Sequence, residues 1–275
     1  MLQHTIYTRH YISHDTRFLH YTRCTCFTHN CAGVEVEKYM LHIDLISTGN
    51  EELDTRLGGG LPTPNLLLVE GPRGSGKTVL VQQIVYGALK SGYRVLVVST
   101  ELGVRDYLNQ SKMVSLDVRK WYLKGMLEIV TPYSSRFKWS RGLIESLSDR
   151  LTTFLERFTQ AFKVVAIDSI TPFAADMREI ELMNFFVGLR RVALRGKLVI
   201  ATLHSDILSE KIVTKLVALA DSYFRLGFAE VGGRSVRVIN VVKLRGTPGV
   251  PESSIAFEVD PSFGVKVVPL ALAKA

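Results

Sequence analysis

The chain predicts an α/β domain with a mostly parallel central sheet, flanking helices and antiparallel strands at the carboxyl-terminal end. Three observations carry this expectation. Residues Gly71 to Thr78 read Gly-Pro-Arg-Gly-Ser-Gly-Lys-Thr, a complete GxxxxGK[ST] phosphate loop, set between an apolar run and a helical pattern. Apolar runs of strand length then alternate with segments of helical period, as in a sheet covered on both faces. In the last forty residues the helices give way to short alternating strands joined by turns.

The elements follow in order. Thr48 or Asn50 caps a short helix across Glu51 to Leu57, and Gly58-Gly59-Gly60 ends it. Leu66-Leu67-Leu68-Val69-Glu70 is a buried strand leading into the phosphate loop. Beyond the loop, Leu80, Ile84 and Ala88 recur at helical spacing, as do Val81, Val85 and Leu89. Arg94 to Thr100 is the next strand, followed by a helix over Arg105 to Met113 and a strand over Met126 to Val130. Leu143 to Phe162 reads as a long helix and Lys163 to Asp168 as a buried strand. A helix over Ile180 to Leu194 leads to the strand Lys197 to Leu203; a helix over Ser209 to Leu219 and a strand near Tyr223 come next. Ser235 to Leu244, Ser254 to Val259 and Val265 to Val268 are the tail strands, the last two joined by the turn Asp260-Pro261-Ser262-Phe263-Gly264.

Residues 1–39 stand apart from residues 40–275. All three cysteines (Cys24, Cys26, Cys31) and five of the seven histidines precede Met40, with no amphipathic period. The segment reads as a disordered extension or as the result of a start codon assigned too early. Cys24, Cys26, His29 and Cys31 invite a zinc site, but CxC-x4-C lacks the paired spacing such sites use. The rest, residues 40–275, suits one domain. No apolar run approaches the roughly 20 residues that span a bilayer, and the polar start lacks a secretory signal, so a cytosolic protein is expected. The net charge of +8 suits nucleic acid, anionic lipid or an acidic protein, but no run of clustered basic residues with interleaved aromatics points to one of them.

The phosphate loop names a ligand class, a nucleoside triphosphate with Mg²⁺. Gly71, Gly74 and Gly76 let the backbone turn its N–H groups toward phosphate oxygens, with Pro72, Arg73 and Ser75 completing the loop. The following helix N-terminus adds partial positive charge. Lys77 reaches the β- and γ-phosphates, and the Thr78 hydroxyl ligates the metal. Asp168 ends an apolar strand and can hold Mg²⁺ directly or through water; the plain alternative is a helix-capping acid. Glu101 directly follows a strand, where parallel sheets place their ligands, and can orient or deprotonate a water near the γ-phosphate; again the alternative is a cap. Thr202 and His204 end the strand after Asp168 and can sense the γ-phosphate by hydrogen bonding, or simply be satisfied polar groups. Lys243 and Arg245 are two apart on a strand and so share a face. They can supply cations in trans to a neighbouring subunit's phosphates, or form a solvated face.

Several blocks together resemble a known family. Thr48-Gly49-Asn50-Glu51-Glu52-Leu53-Asp54, Leu57-Gly58-Gly59-Gly60-Leu61-Pro62, Ser99-Thr100-Glu101 and Lys243-Leu244-Arg245-Gly246 look like the KaiC-like branch of the RecA superfamily. Gln82 to Gly92, Thr202-Leu203-His204, Glu230-Val231-Gly232-Gly233 and the end from Phe257 to Leu270 are similar to the archaellum accessory ATP-binding proteins, the FlaH (ArlH) family. The resemblance implies a RecA-like P-loop fold and homo-oligomeric rings, hexamers in the KaiC pattern, with ATP bound between subunits. It implies docking onto the archaellum motor ATPase (FlaI, also ArlI) near its membrane platform and scaffold-ring proteins, at the cytoplasmic base of the archaellum. Contact with the membrane would be indirect, and ATP occupancy with weak or no hydrolysis would control the docking. By position, Lys77, Thr78, Asp168 and Glu101 carry the nucleotide and metal roles, and Lys243 and Arg245 match the trans-acting pair. One departure is that Gly246-Thr247-Pro248-Gly249 lacks the histidine that KaiC-like sequences often place after that pair.

Two other classes fit the sequence less well. A RecA- or RadA-like DNA-repair or recombination ATPase would need basic or glycine-rich DNA loops after Asp168, whereas Thr171 to Arg178 is short and carries Asp176. A small-molecule kinase would need an arginine-rich lid, and Arg136 and Arg141 do not form one. Nucleic acid is therefore not an expected partner.

Overall fold

The computed structural model describes residues 10–12, 19–21, 43–132, 153–157, 159–231 and 233–269. Residues 1–44 and 45–275 are separate compact units. In the first, β1 (His10–Ile12) and β2 (Leu19–Tyr21) pair antiparallel. Cys24, Cys26, His29 and Cys31 lie outside the described residues.

Next along the chain, β3 (Asp44–Ile46) pairs with β4 (Leu61–Thr63) as a two-stranded ladder separate from the main sheet. Between them lies α1 (Glu51–Arg56), capped by Asn50, whose side chain accepts from Leu53 N at 3.0 Å. The expected passage from the triple glycine straight into the loop strand is thus interrupted by β4. Next come β5 (Asn65–Gly71), the phosphate loop, α2 (Lys77–Lys90), β6 (Val95–Ser99), α3 (Val104–Met113), α4 (Arg119–Leu123) and β7 (Leu127–Val130). The expected long helix over Leu143 to Phe162 falls mostly outside the described residues; 153–157 are helical and a 3-10 turn covers Thr159–Ala161. Then follow β8 (Val164–Asp168), α5 (Thr171–Ala174), α6 (Glu179–Ala193), β9 (Leu198–His204), α7 (Glu210–Leu219), β10 (Ser222–Val231), β11 (Arg234–Lys243), β12 (Ser254–Asp260) and β13 (Gly264–Val268).

Among the described residues the main sheet has nine strands, in the order β13-β12-β11-β10-β5-β9-β8-β6-β7. From β10 to β7 neighbouring strands are parallel; β11, β12 and β13 extend the sheet antiparallel. The central parallel strands β5, β6 and β8 are buried along their length, which is why they read as continuous apolar runs instead of alternating ones. Alternate side chains feed two cores. Leu67, Val69, Val97, Ala166 and Ile200 pack with α2 and α3, while Leu66, Leu68, Val98, Ile167 and Ala201 pack with α6 and α7.

A polar clasp holds α2 in place. Asp54 accepts from Ser47 Oγ, Thr48 N and Thr48 Oγ1 at 2.5, 2.8 and 2.7 Å. Gln83, buried on α2, donates to Thr48 O at 3.0 Å and accepts from Val265 N at 3.1 Å, and Asn50 Nδ2 donates to Val265 O at 2.6 Å. Helix and clasp meet at Gly87, where an added Cβ would come closer than 3.0 Å to backbone atoms of Ser47, Thr48 and Gly49. Among the described residues no helix is long and apolar enough to cross a membrane.

Candidate nucleotide site

Register sets the site. Gly71 at the end of β5 pairs with His204 at the end of β9, and Ser99 at the end of β6 pairs with Asp168 at the end of β8. All four therefore stand at the carboxyl edge of the parallel sheet, where this class of fold opens its crevice. A cleft of about 690 Å³ lies there, lined by the phosphate loop, Glu101, Asp168, His204 and Arg237 among others. That volume is in the usual range for a small-molecule site.

The loop turns into α2 at Gly76, which sits in the left-handed region (φ 91°) as the helix N-cap. A Cβ there would be strained and 3.1 Å from the Phe257 ring. Lys77 is 6% exposed, and its ammonium donates to Gly71 O at 2.7 Å and Pro72 O at 2.9 Å, with His204 Nδ1 at 3.1 Å. Burial pulls its pKa down, opposed by the nearby carboxylates of Asp168, Glu101 and Asp206. The lysine is thus stored inside its own loop, charged groups around it, ready for an anion that offers more than two backbone carbonyls.

Asp168 is 6% exposed and accepts from Thr202 Oγ1 at 2.6 Å and from the Thr78 hydroxyl. Burial pushes its pKa up; the two hydroxyls and Lys77 pull it down, while Glu101 adds to the rise. A buried acid of this kind, beside a hydroxyl at the start of the loop helix, fits a hard divalent cation with oxygen ligands such as Mg²⁺. Glu101 follows β6 and projects into the cleft, its Oε1 accepting from Ser169 Oγ at 2.7 Å and lying 3.2 Å from His204 Nε2. Thr100 fixes the base of this group: Thr100 N donates to Asp168 O, and its hydroxyl exchanges hydrogen bonds with the Ser169 backbone.

Sequence reasoning passed over two groups. Arg237 on β11 donates from Nε to Gly74 O at 3.0 Å and lines the cleft. The β10–β11 pairing, with Arg237 opposite Phe228, and the β11–β12 pairing, with Arg237 opposite Phe257, carry it to the loop. Behind the loop, buried Glu70 accepts from Tyr223 Oη, and Arg225 Nε donates to the same phenol at 3.0 Å. Burial and the Glu70 contact push the Tyr223 phenol up to about 12, so it stays a donor to the residue before Gly71.

Lys243 and Arg245 fall elsewhere. β11 ends at Lys243, so strand alternation does not extend to Arg245 and the shared-face argument fails. Lys243 pairs with Tyr223 near the start of β10, six residues along the strand from Arg237, about 20 Å at the rise of a strand. Its ammonium donates to Val217 O at 3.0 Å and to Ala220 O, closing the carboxyl end of α7. Arg245 is exposed. Neither reaches the phosphate loop of its own chain.

Over most of its length the chain is similar to known proteins. The KaiC ATPase family profile matches residues 46–271. The archaeal flagellar ATP-binding protein FlaH of Sulfolobus acidocaldarius is 36% identical over 232 residues, 84% of this chain and all of that protein. FlaH of Methanocaldococcus jannaschii is 27% identical over 231 residues, 83% of this chain and 97% of that one. The crystal structure of flagellar accessory protein FlaH from Methanocaldococcus jannaschii superposes with a TM-score of 0.72, covering 83% of this chain and all of that one.

Proposed function

The chain belongs to the KaiC ATPase family and, within it, to the FlaH proteins, and on that premise we propose that it is an ATP-binding regulatory subunit of the archaellum motor complex. Bound ATP·Mg²⁺ controls its docking onto the motor ATPase, with weak or no hydrolysis. The observation that carries this reading is the meeting of Lys77, Thr78 and Asp168 at the mouth of a cleft large enough for a nucleotide.

Each residue has a role that follows from its place. The loop amides and the α2 N-terminus take the phosphates, with Lys77 exchanging its two carbonyl partners for phosphate oxygens. Thr78 and Asp168 hold the Mg²⁺, which neutralises phosphate charge when bound. Arg237, on the rim, adds a cation from the same chain, and Glu101 stands where a water near the γ-phosphate would be oriented. A ring of copies supports the remaining pair: Arg245, remote from its own loop, meets phosphates only by reaching a neighbour's.

The test is binding of the full-length chain to the motor ATPase with and without ATP·Mg²⁺, beside the folded Lys77→Ala variant. ATP-dependent binding that the variant loses supports a nucleotide-controlled switch. Equal binding by Lys77→Ala and wild type would sink it.

A further inference from the structure

Lys77, His204 and Glu101 form one hydrogen-bonded chain whose direction can be worked out. An ammonium has three protons and no lone pair, so it can only donate. Its neighbours are Gly71 O, Pro72 O and His204 Nδ1, at 2.7, 2.9 and 3.1 Å. Nδ1 is therefore the acceptor and carries no proton. In the neutral ring the proton then sits on Nε2, which faces Glu101 Oε1 at 3.2 Å and donates to it. Ser169 Oγ donates to the same oxygen at 2.7 Å. The ring's own backbone is anchored, because His204 N donates to Thr171 Oγ1 at 3.0 Å.

This arrangement opposes both steps that the site would perform. A carboxylate oxygen that already accepts from two donors is a poorer acceptor for a proton from water. An ammonium with three acceptors gives one up for each phosphate oxygen it takes. We propose that His204 is a positioning residue that brakes the site: it competes with phosphate for Lys77, and its hydrogen bond to Glu101, which persists after a nucleoside triphosphate has drawn the lysine away, holds that acid back from water. The brake rests on reading the loop as an ATP site with Glu101 as the acid beside the γ-phosphate. It supplies a physical source for weak hydrolysis.

The experiment uses the full chain, with ATP affinity measured first and single-turnover hydrolysis at saturating ATP·Mg²⁺ second. His204→Ala is expected to bind ATP more tightly and to hydrolyse it about tenfold faster, the factor set by losing one hydrogen bond to a charged group. His204→Gln, whose amide keeps a donor within reach of Glu101, stays near the wild-type rate, which a merely structural role would not produce. A His204→Ala rate that is unchanged or slower overturns the brake. So does a fast rate that persists in His204→Ala/Glu101→Gln, because the acceleration would then not run through Glu101. A wild-type chain that binds no ATP overturns the nucleotide reading itself, whereas ATP binding without acceleration overturns the brake alone. A nitrogen-15 spectrum of the ring adds a check independent of turnover: the nucleotide-free protein should show Nε2 protonated and Nδ1 bare, and a proton on Nδ1 contradicts the chain.

Discussion

Replacing Gly87 by alanine sets two effects of opposite sign against each other. Alanine is the better helix former, by up to about 1 kcal/mol, and Gly87 lies in the last turn of α2. The new methyl, however, would press within 3.0 Å of backbone atoms of Ser47, Thr48 and Gly49, none of which can rotate away as a side chain would. Forcing a methyl into a packed interior costs about 1–3 kcal/mol, occasionally more. Pushing the segment off α2 also breaks the Gln83 bond to Thr48 O, a buried contact whose loss costs about 1–3 kcal/mol. Subtracting the helix gain leaves a net loss of about 1–5 kcal/mol, a drop in Tm of roughly 2–20 °C for a domain of this size. Thermal unfolding followed by circular dichroism measures it. Gly92→Ala is the control, since φ there is 86° but no atom lies within 4 Å, so only backbone strain of about 1 kcal/mol is at stake. A Gly87→Ala melting point equal to or above wild type would refute the close-contact argument, with helix propensity the winning effect.

The remaining expectations concern the site and its surroundings. In Asp168→Asn the nucleotide-free, Mg²⁺-free protein should melt higher near neutral pH while losing Mg²⁺-dependent ATP binding. The sign follows from a folded-state pKa above the unfolded value: Asp168's contribution to stability is complete at acid pH and is lost as pH rises through the folded pKa, and the amide removes that loss. A pH series of melting curves that is no flatter in the variant would contradict this. Arg237→Ala should weaken ATP about tenfold, or ~1.4 kcal/mol, in titration calorimetry with little change in melting point; an unchanged affinity would remove Arg237 from the site. Lys243→Ala should destabilise the isolated chain by about 1 kcal/mol because it uncaps α7, whereas exposed Arg245→Ala should not. Equal melting of the two variants would show that the Lys243 contacts contribute nothing.

What could be read in advance was whatever is local along the chain. The loop, its strand and its helix are contiguous, so spacing alone located Lys77 and Thr78. Asp168 was legible because a strand buried on both faces rarely ends in an acid without a reason. Arg237 was not, because it meets Gly74 across 163 residues of sequence, and that meeting depends on the long-range pairing of β10 with β5, which no local spacing reveals. The link from His204 to both Lys77 and Glu101 was hidden for the same reason, although His204 itself had been singled out. The shared face assigned to Lys243 and Arg245 failed for a nearer cause, one residue of strand length, since alternation holds only while the strand lasts. The small β3–β4 ladder escaped notice because its two strands are three residues each, too short to show a period.

The hydrogen bond from Asn50 to Val265 O joins the entrance of the domain to its final strand, and Gln83 receives both on the helix that bears the phosphate loop. A linear chain is in this way closed into a loop. The domain is therefore suited to circular permutation, with a short linker joining the two segments and new ends opened at an exposed turn such as Ser91-Gly92. It is equally suited to insertion as a cassette within another protein.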